Sequence, residues 1–86
     1  MSEYAKNILK DFVFLGEFVS PHKCTFRIYG SLNNDKWAYN TKENDDPFVY
    51  RWDKENPVGF YDWFWDAAHP LLRSFFEDPS ISPNSR

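Results

Sequence analysis

The sequence predicts an α+β domain: an antiparallel four-stranded β-meander, a short N-terminal helix, and an aromatic-rich C-terminal helix packed on one face of the sheet. Three observations carry this reading. Residues 11–53 alternate apolar and polar side chains in short runs separated by turn-forming clusters, the period-two signature of strands. The stretches between these runs are too short for a crossover helix, so successive strands must be antiparallel. After Asn56-Pro57 the period changes, and residues 58–77 place their charges at helical spacing. Three to five strands are compatible with the turn signals, four fitting best. The domain is expected to span residues 1–78, with 79–86 as a flexible tail lacking apolar periodicity.

Each element has its own warrant. Ser2 is a natural N-cap for EYAKNILK, where Tyr4 stacks with Ile8 and Ala5 with Leu9 at i, i+4. Two turns of helix are marginal alone and must lean on the rest of the fold. Residues 11–20 (DFVFLGEFVS) place Phe12, Phe14 and Phe18 on one side and Val13, Leu15 and Val19 on the other. Both sides are largely apolar, which points to a central strand. SPHK supplies a turn, and KCTFRIYG then alternates cleanly, as a half-buried strand does. Asn33-Asn34-Asp35 turns the chain into KWAYNT, the polar loop KENDDP closes at Pro47, and FVYRWD (48–53) alternates again. If strands 36–41 and 48–53 pair, Trp37, Tyr39, Tyr50 and Trp52 share one face, as core beneath the helix or as an open platform.

The C-terminal helix is expected to start with Asn56 as N-cap and Pro57 at N1. Projected at about 100° per residue, Asp62, Asp66, His69, Arg73 and Glu77 fall in one narrow stripe. Rings and aliphatic side chains fill most of the rest. An ordinary surface helix needs an apolar stripe of little more than about 100°. This wider belt implies packing on both flanks, against the N-terminal helix and strand loops, or a flank left for a partner. Pro70 cannot donate to the Asp66 carbonyl, so it interrupts the pattern with a kink or a second segment over 70–77.

At 86 residues the chain is one small domain, and nine Phe, five Tyr and four Trp make up 21% of it. Domains this small bury only roughly 60–65% of the surface that the unfolded chain exposes. Large rings, each burying about 150–250 Å², compensate for the short length. Cys24 is the single cysteine, which excludes an intrachain disulfide and fits a reducing, cytoplasmic setting. The N-terminus has no apolar signal-peptide core, and no run approaches the roughly 20 apolar residues that span a bilayer.

Charge is distributed unevenly. Residues 1–42 carry six Lys/Arg against four Asp/Glu, whereas residues 43–66 carry seven acids against two bases. An acidic middle third argues against direct nucleic-acid binding and for a partner with a basic surface. No sequence motif demands a cofactor or a metal. His22 with Cys24 supplies two ligands where zinc needs more, and Asp62, Asp66 and His69 read as helix-surface electrostatics, Asp66 meeting His69 one turn on. The Glu43–Asp46 run lacks the glycine and terminal glutamate of a calcium loop, and there is no glycine-rich phosphate cradle. The expectation is a non-enzymatic domain without cofactor.

An acidic, aromatic-rich, cysteine-poor domain of this size resembles small stoichiometric inhibitors, among them bacteriocin immunity proteins and phage-encoded antagonists of host defence. That likeness implies a monomer or homodimer that occludes a basic, nucleic-acid-binding surface of a larger protein. Steering would fall to Glu43, Asp45, Asp46, Asp53 and Glu55, and anchoring to Trp52, Trp63 and Trp65. A carbohydrate- or ligand-binding module built on the Trp/Tyr sheet face, or a small accessory subunit, are the alternatives.

Overall fold

The computed structural model describes residues 2–53 and 61–77; the expected helix start at Asn56-Pro57, Glu55 and the tail over 79–86 lie outside these residues. The elements are α1 (Glu3–Leu9), β1 (Phe12–Val19), β2 (Thr25–Ser31), β3 (Lys36–Thr41), β4 (Phe48–Arg51) and α2 (Asp62–Glu77). The strands form one antiparallel sheet in the order β1-β2-β3-β4, a simple meander. The predicted fold class is therefore the observed one.

Register explains which side chains meet. Ile28 pairs with Tyr39 and Tyr39 with Phe48, while Trp37 pairs with Tyr50. Those residues face α2. The core under it consists of Ile28, Trp37, Phe64, Ala68 and Leu72, with Trp37 only 1% exposed. The Trp/Tyr face is thus core, as one aromatic helix on a four-stranded sheet requires, and it is not an open platform. A fully buried Trp of this kind contributes on the order of 3–5 kcal/mol when compared with alanine.

Strands β1 and β2 depart from the sequence expectation in three respects. First, β1 is an edge strand, not a central one. Its two apolar faces arise because a helix packs on each side of the sheet, not because a strand lies at each edge. Second, β1 does not keep its three phenylalanines on one side. Pairing runs Phe14↔Tyr29 and then Gly16↔Ile28, so Leu15 is an inserted residue in a bulge. One extra residue reverses the parity of everything after it. Phe12 and Phe14 consequently face α1, whereas Phe18 stacks on Phe26 under α2 (centroids 5.7 Å, interplanar angle 7°). Third, β2 is not half-buried: from Ile28 to Ser31 it is buried on both faces, because α1 covers the side that holds Tyr29.

The N-terminal helix does not flank α2. Ala5 and Leu9 are its buried positions, and Leu9 packs with Tyr29 and Ala38 in a second, smaller core on the opposite side of the sheet. Alternation decides this, since Tyr29 and Ala38 point away from Ile28 and Trp37. The result is a three-layer α/β/α arrangement with unequal outer layers.

Tyr61 is non-helical, and its carbonyl accepts from Phe64 N–H (3.0 Å) and Trp65 N–H (3.3 Å) at the start of α2. The described helix therefore begins at Asp62, a favourable place for an acid beside the positive helix end. Pro70 lies inside α2, which continues as helix to Glu77. Asp62, Asp66, Arg73 and Glu77 of the polar stripe are exposed and His69 is half-buried, while Phe64, Ala68, Leu72 and Phe75 face the sheet. Strand β2 meets this helix closely: a Cβ on Gly30 would lie 2.6 Å from two ring carbons of Phe75. Arg73 Nε bonds Glu77 Oε1 at 3.3 Å, as spacing suggested. No hydrogen bond or ion pair joins His69 to Asp66, however; the imidazole packs on Trp52 and Trp65, at 5.6 and 5.9 Å between centroids.

Candidate functional site

The β3–β4 loop is held by its own hydrogen bonds. Asn44 N–H donates to Thr41 Oγ1 (2.9 Å), Asp46 N–H donates to Asn44 Oδ1 (3.2 Å), and Asn40 Nδ2 donates to the Asp45 carbonyl (3.0 Å). Asn40 is 1% exposed, and its Oδ1 has no hydrogen-bond partner among the described residues. Its Nδ2 is the group that ties β3 to this loop. The loop in turn is tied to α1. Ser2 N–H donates to Asp45 Oδ2 (3.0 Å), and Ser2 Oγ donates to Asp46 Oδ1 (3.4 Å) while accepting from Ala5 N–H (3.1 Å). Two of the acids expected to steer a partner therefore also anchor and electrostatically cap the N-terminal helix.

The start of α2 stands at the same end of the molecule. Phe26 pairs with Thr41, the residue that opens the β3–β4 loop, and Trp63 packs edge-on against Phe26 at 5.6 Å. Tyr61 stacks on Trp63 (5.7 Å, 13°), and Phe48 stacks on Tyr39 (5.3 Å, 29°), which itself lies 5.6 Å from Phe26. A continuous aromatic row thus crosses the sheet end, from Phe48 through Tyr39, Phe26 and Trp63 to Tyr61. Its two ends are open to solvent: Phe48 is 50% and Tyr61 72% exposed. Burial pushes the Tyr39 hydroxyl pKa above its usual 10.0, with the charge of Tyr50 and a hydrogen bond to it adding to the rise.

The structure divides the predicted site residues. Glu43, Asp45, Asp46 and Trp63 come together at this end, and Asp62 joins them through α2. Glu43 and Asp62 are exposed and have no hydrogen-bond or ion-pair partner among the described residues. Lys23 and Lys42, also exposed here, form part of the rim. Asp53 is at the far end of β4, roughly 20 Å away at the rise of a strand. Trp52 is there too, half-buried and stacked on Phe76 at 5.1 Å, and Trp65 is half-buried against Trp37 at 5.5 Å. Both of these tryptophans fill the seam between α2 and the sheet. Glu55 lies outside the described residues.

Sequence reasoning did not select Phe48 and Tyr61 as contact residues. Phe48 alternates with Tyr50 and Trp52, so pattern alone ranks it with the core. Its one local sign is its position at the first residue of a strand, just after Pro47. Tyr61 sits immediately before the first helical carboxylate, and its ring stacks on Trp63 while the residue stays 72% exposed.

Among the described residues no three His, Cys, Asp or Glu side chains cluster in a way that would hold a metal ion, and no helix is long and apolar enough to cross a membrane. His22 is exposed in the β1–β2 turn and Cys24 is half-buried beside it, its N–H donating to Ser20 Oγ at 3.1 Å. Comparison with protein-family models, with curated proteins and with solved structures finds no match, so the geometry of this aromatic, charge-rimmed end carries the functional reading.

Proposed function

We propose that this chain is a small non-enzymatic protein-binding domain that works by occupancy, in the manner of immunity-type inhibitors and phage-encoded anti-defence proteins in the cytoplasm. Its partner is a larger protein with a basic surface, of the kind that binds nucleic acid, and the chain acts as a monomer or homodimer. One observation carries the reading: the aromatic row that leaves Phe48 and Tyr61 exposed between Glu43, Asp46 and Asp62. Exposed rings rimmed by charge are the usual composition of a contact surface, with Tyr and Trp favoured as anchors. Both rings are already stacked on half-buried neighbours, and the adjacent loop is internally bonded, so little ordering entropy remains to be lost on contact. Carboxylates at the rim would raise the rate of encounter with a cationic surface and contribute less to its lifetime.

The test is stoichiometric complex formation by the full chain in cells of its source, read by cross-linking and mass spectrometry. A Phe48→Ala/Tyr61→Ala variant should lose the cross-linked partner while keeping the wild-type fold. Glu43→Gln/Asp62→Asn should slow association most at low salt, where screening is weakest. A partner retained equally by the double-alanine variant would remove this surface from consideration.

A further inference from the structure

We propose that the cleft at the opposite end of the sheet, lined by Asn34, Asp35, Lys36 and Arg51, is an oxyanion site that takes a phosphate group. Lys36 and Arg51 are directly opposite each other across β3 and β4. Trp52 N–H donates to the Asp35 carbonyl at 2.7 Å, which makes the 35/52 pair hydrogen-bonded. The next pair, Lys36 with Arg51, therefore occupies a non-hydrogen-bonded position, where facing side chains are closest. Like charges in that position destabilise a sheet.

The rest of the same face handles its charges differently. Glu17 is opposite Arg27, and the two form an ion pair at 3.4 Å. Lys36 and Arg51, by contrast, have no acidic partner among the described residues; the ion pairs there are Lys6 with Glu3, Arg27 with Glu17, and Arg73 with Glu77. Asp35 borders the cleft without bridging to either cation. Between these residues lies a cleft of about 200 Å³.

Two cations against one carboxylate leave a net positive cleft, and Asn34 adds an amide. A guanidinium offers a planar fork to two oxygens, and an ammonium offers a point charge to a third. A fork, a point charge and an amide offer more donors than the two oxygens of a carboxylate take up, and a phosphate has further oxygens for them. An anion held there would turn the repulsion between Lys36 and Arg51 into a shared attraction. The site stands apart from the aromatic end and does not depend on the function proposed for it.

The experiment is a titration of the full chain, followed by amide chemical shifts at constant ionic strength, with inorganic phosphate in one arm and glycerol 3-phosphate in the other. Saturable shifts centred on residues 34–36 and 51 are expected. A stronger response to glycerol 3-phosphate assigns the site to phosphomonoesters, and a stronger response to inorganic phosphate assigns it to the free ion; either supports the proposal. Arg51→Gln and Lys36→Gln should each weaken binding about tenfold or more, since each removes a charge-assisted contact. Lys36→Glu should abolish binding and, in phosphate-free buffer, raise the thermal midpoint by about 1–5 °C by pairing with Arg51. Shifts spread over all surface cations, binding unchanged in Arg51→Gln, or a lowered midpoint in Lys36→Glu would each overturn the assignment.

Discussion

Replacing Gly30 by alanine would put a methyl group where the ring of Phe75 already lies. The added Cβ would stand 2.6 Å from both Cδ2 and Cε2 of that ring, and 3.2 Å from Leu15 Cδ1. Gly30 has no positive φ, so the backbone itself accepts alanine without strain. Without a clash, such a substitution stabilises a protein by about 0.4–1 kcal/mol through the unfolded chain. Here Phe75 is 3% exposed on a helix packed against the strand, so its ring cannot swing into solvent. Overpacking of this kind costs about 1–3 kcal/mol. At about 4–8 °C per kcal/mol for a domain of this size, Gly30→Ala should lower the thermal midpoint by roughly 4–24 °C. Urea unfolding followed by tryptophan fluorescence should show the midpoint falling with an unchanged slope. Phe75→Leu in the Gly30→Ala background should cost less than the two single effects together, because the smaller side chain vacates the contested space. Gly16→Ala is the internal control: its Cβ would be 3.0 Å from the flexible end of half-buried Leu71, which can rotate away at a cost below about 1 kcal/mol. An unchanged or higher midpoint for Gly30→Ala would mean that α2 does not sit on β2 as described, and the core derived from that contact would fall with it.

Three further outcomes follow from particular residues. Lys23 has φ 70°, the left-handed region that suits glycine, so Lys23→Gly should raise the unfolding free energy by about 0.5–1 kcal/mol in urea titrations. Ser2→Ala removes both the N-cap of α1 and its hydroxyl tie to Asp46; a loss of about 0.5–2 kcal/mol, with hydrogen exchange accelerating in α1 before α2, is the expected readout. Because the Tyr39 hydroxyl has a raised pKa in the fold, the unfolded chain loses that proton first as pH rises. The associated stability is intact below the ordinary value of 10.0 and disappears as pH climbs from there through the folded value. Thermal midpoints measured between about pH 8 and 11 should fall less steeply in Tyr39→Phe than in the wild type; parallel curves would show that Tyr39 is not the group responsible.

Much of the architecture was legible because it depends on local periodicity. Alternation over 36–41 located β3 to the residue, and charges at helical spacing identified the exposed stripe of α2. The parity of β1 was not read, although Gly16 inside FVFLGEFV is the kind of isolated strand glycine that accompanies a bulge. Alternation alone does not say that Leu15 is the residue that drops out of register. At the candidate site, the acids of residues 43–66 read as one block along the chain. Strand β4 runs through that block and carries Asp53 to the far end, leaving Glu43, Asp45, Asp46 and Asp62 together. Trp52 and Trp65 were attractive as anchors on composition, yet they fill the seam beside α2, while Phe48 and Tyr61 reach solvent.

By itself, then, the sequence determined the elements, their antiparallel order, and an aromatic core large enough to stabilise so short a chain. Those properties follow from near-neighbour chemistry: side-chain period, turn residues and ring content. Only the tertiary structure decided which face each helix covers, which strands form the edges, and which rings and carboxylates remain for a partner. Burial belongs to a surface and whatever packs against it, and one bulge or one strand's length is enough to send a side chain to the other side or the other end.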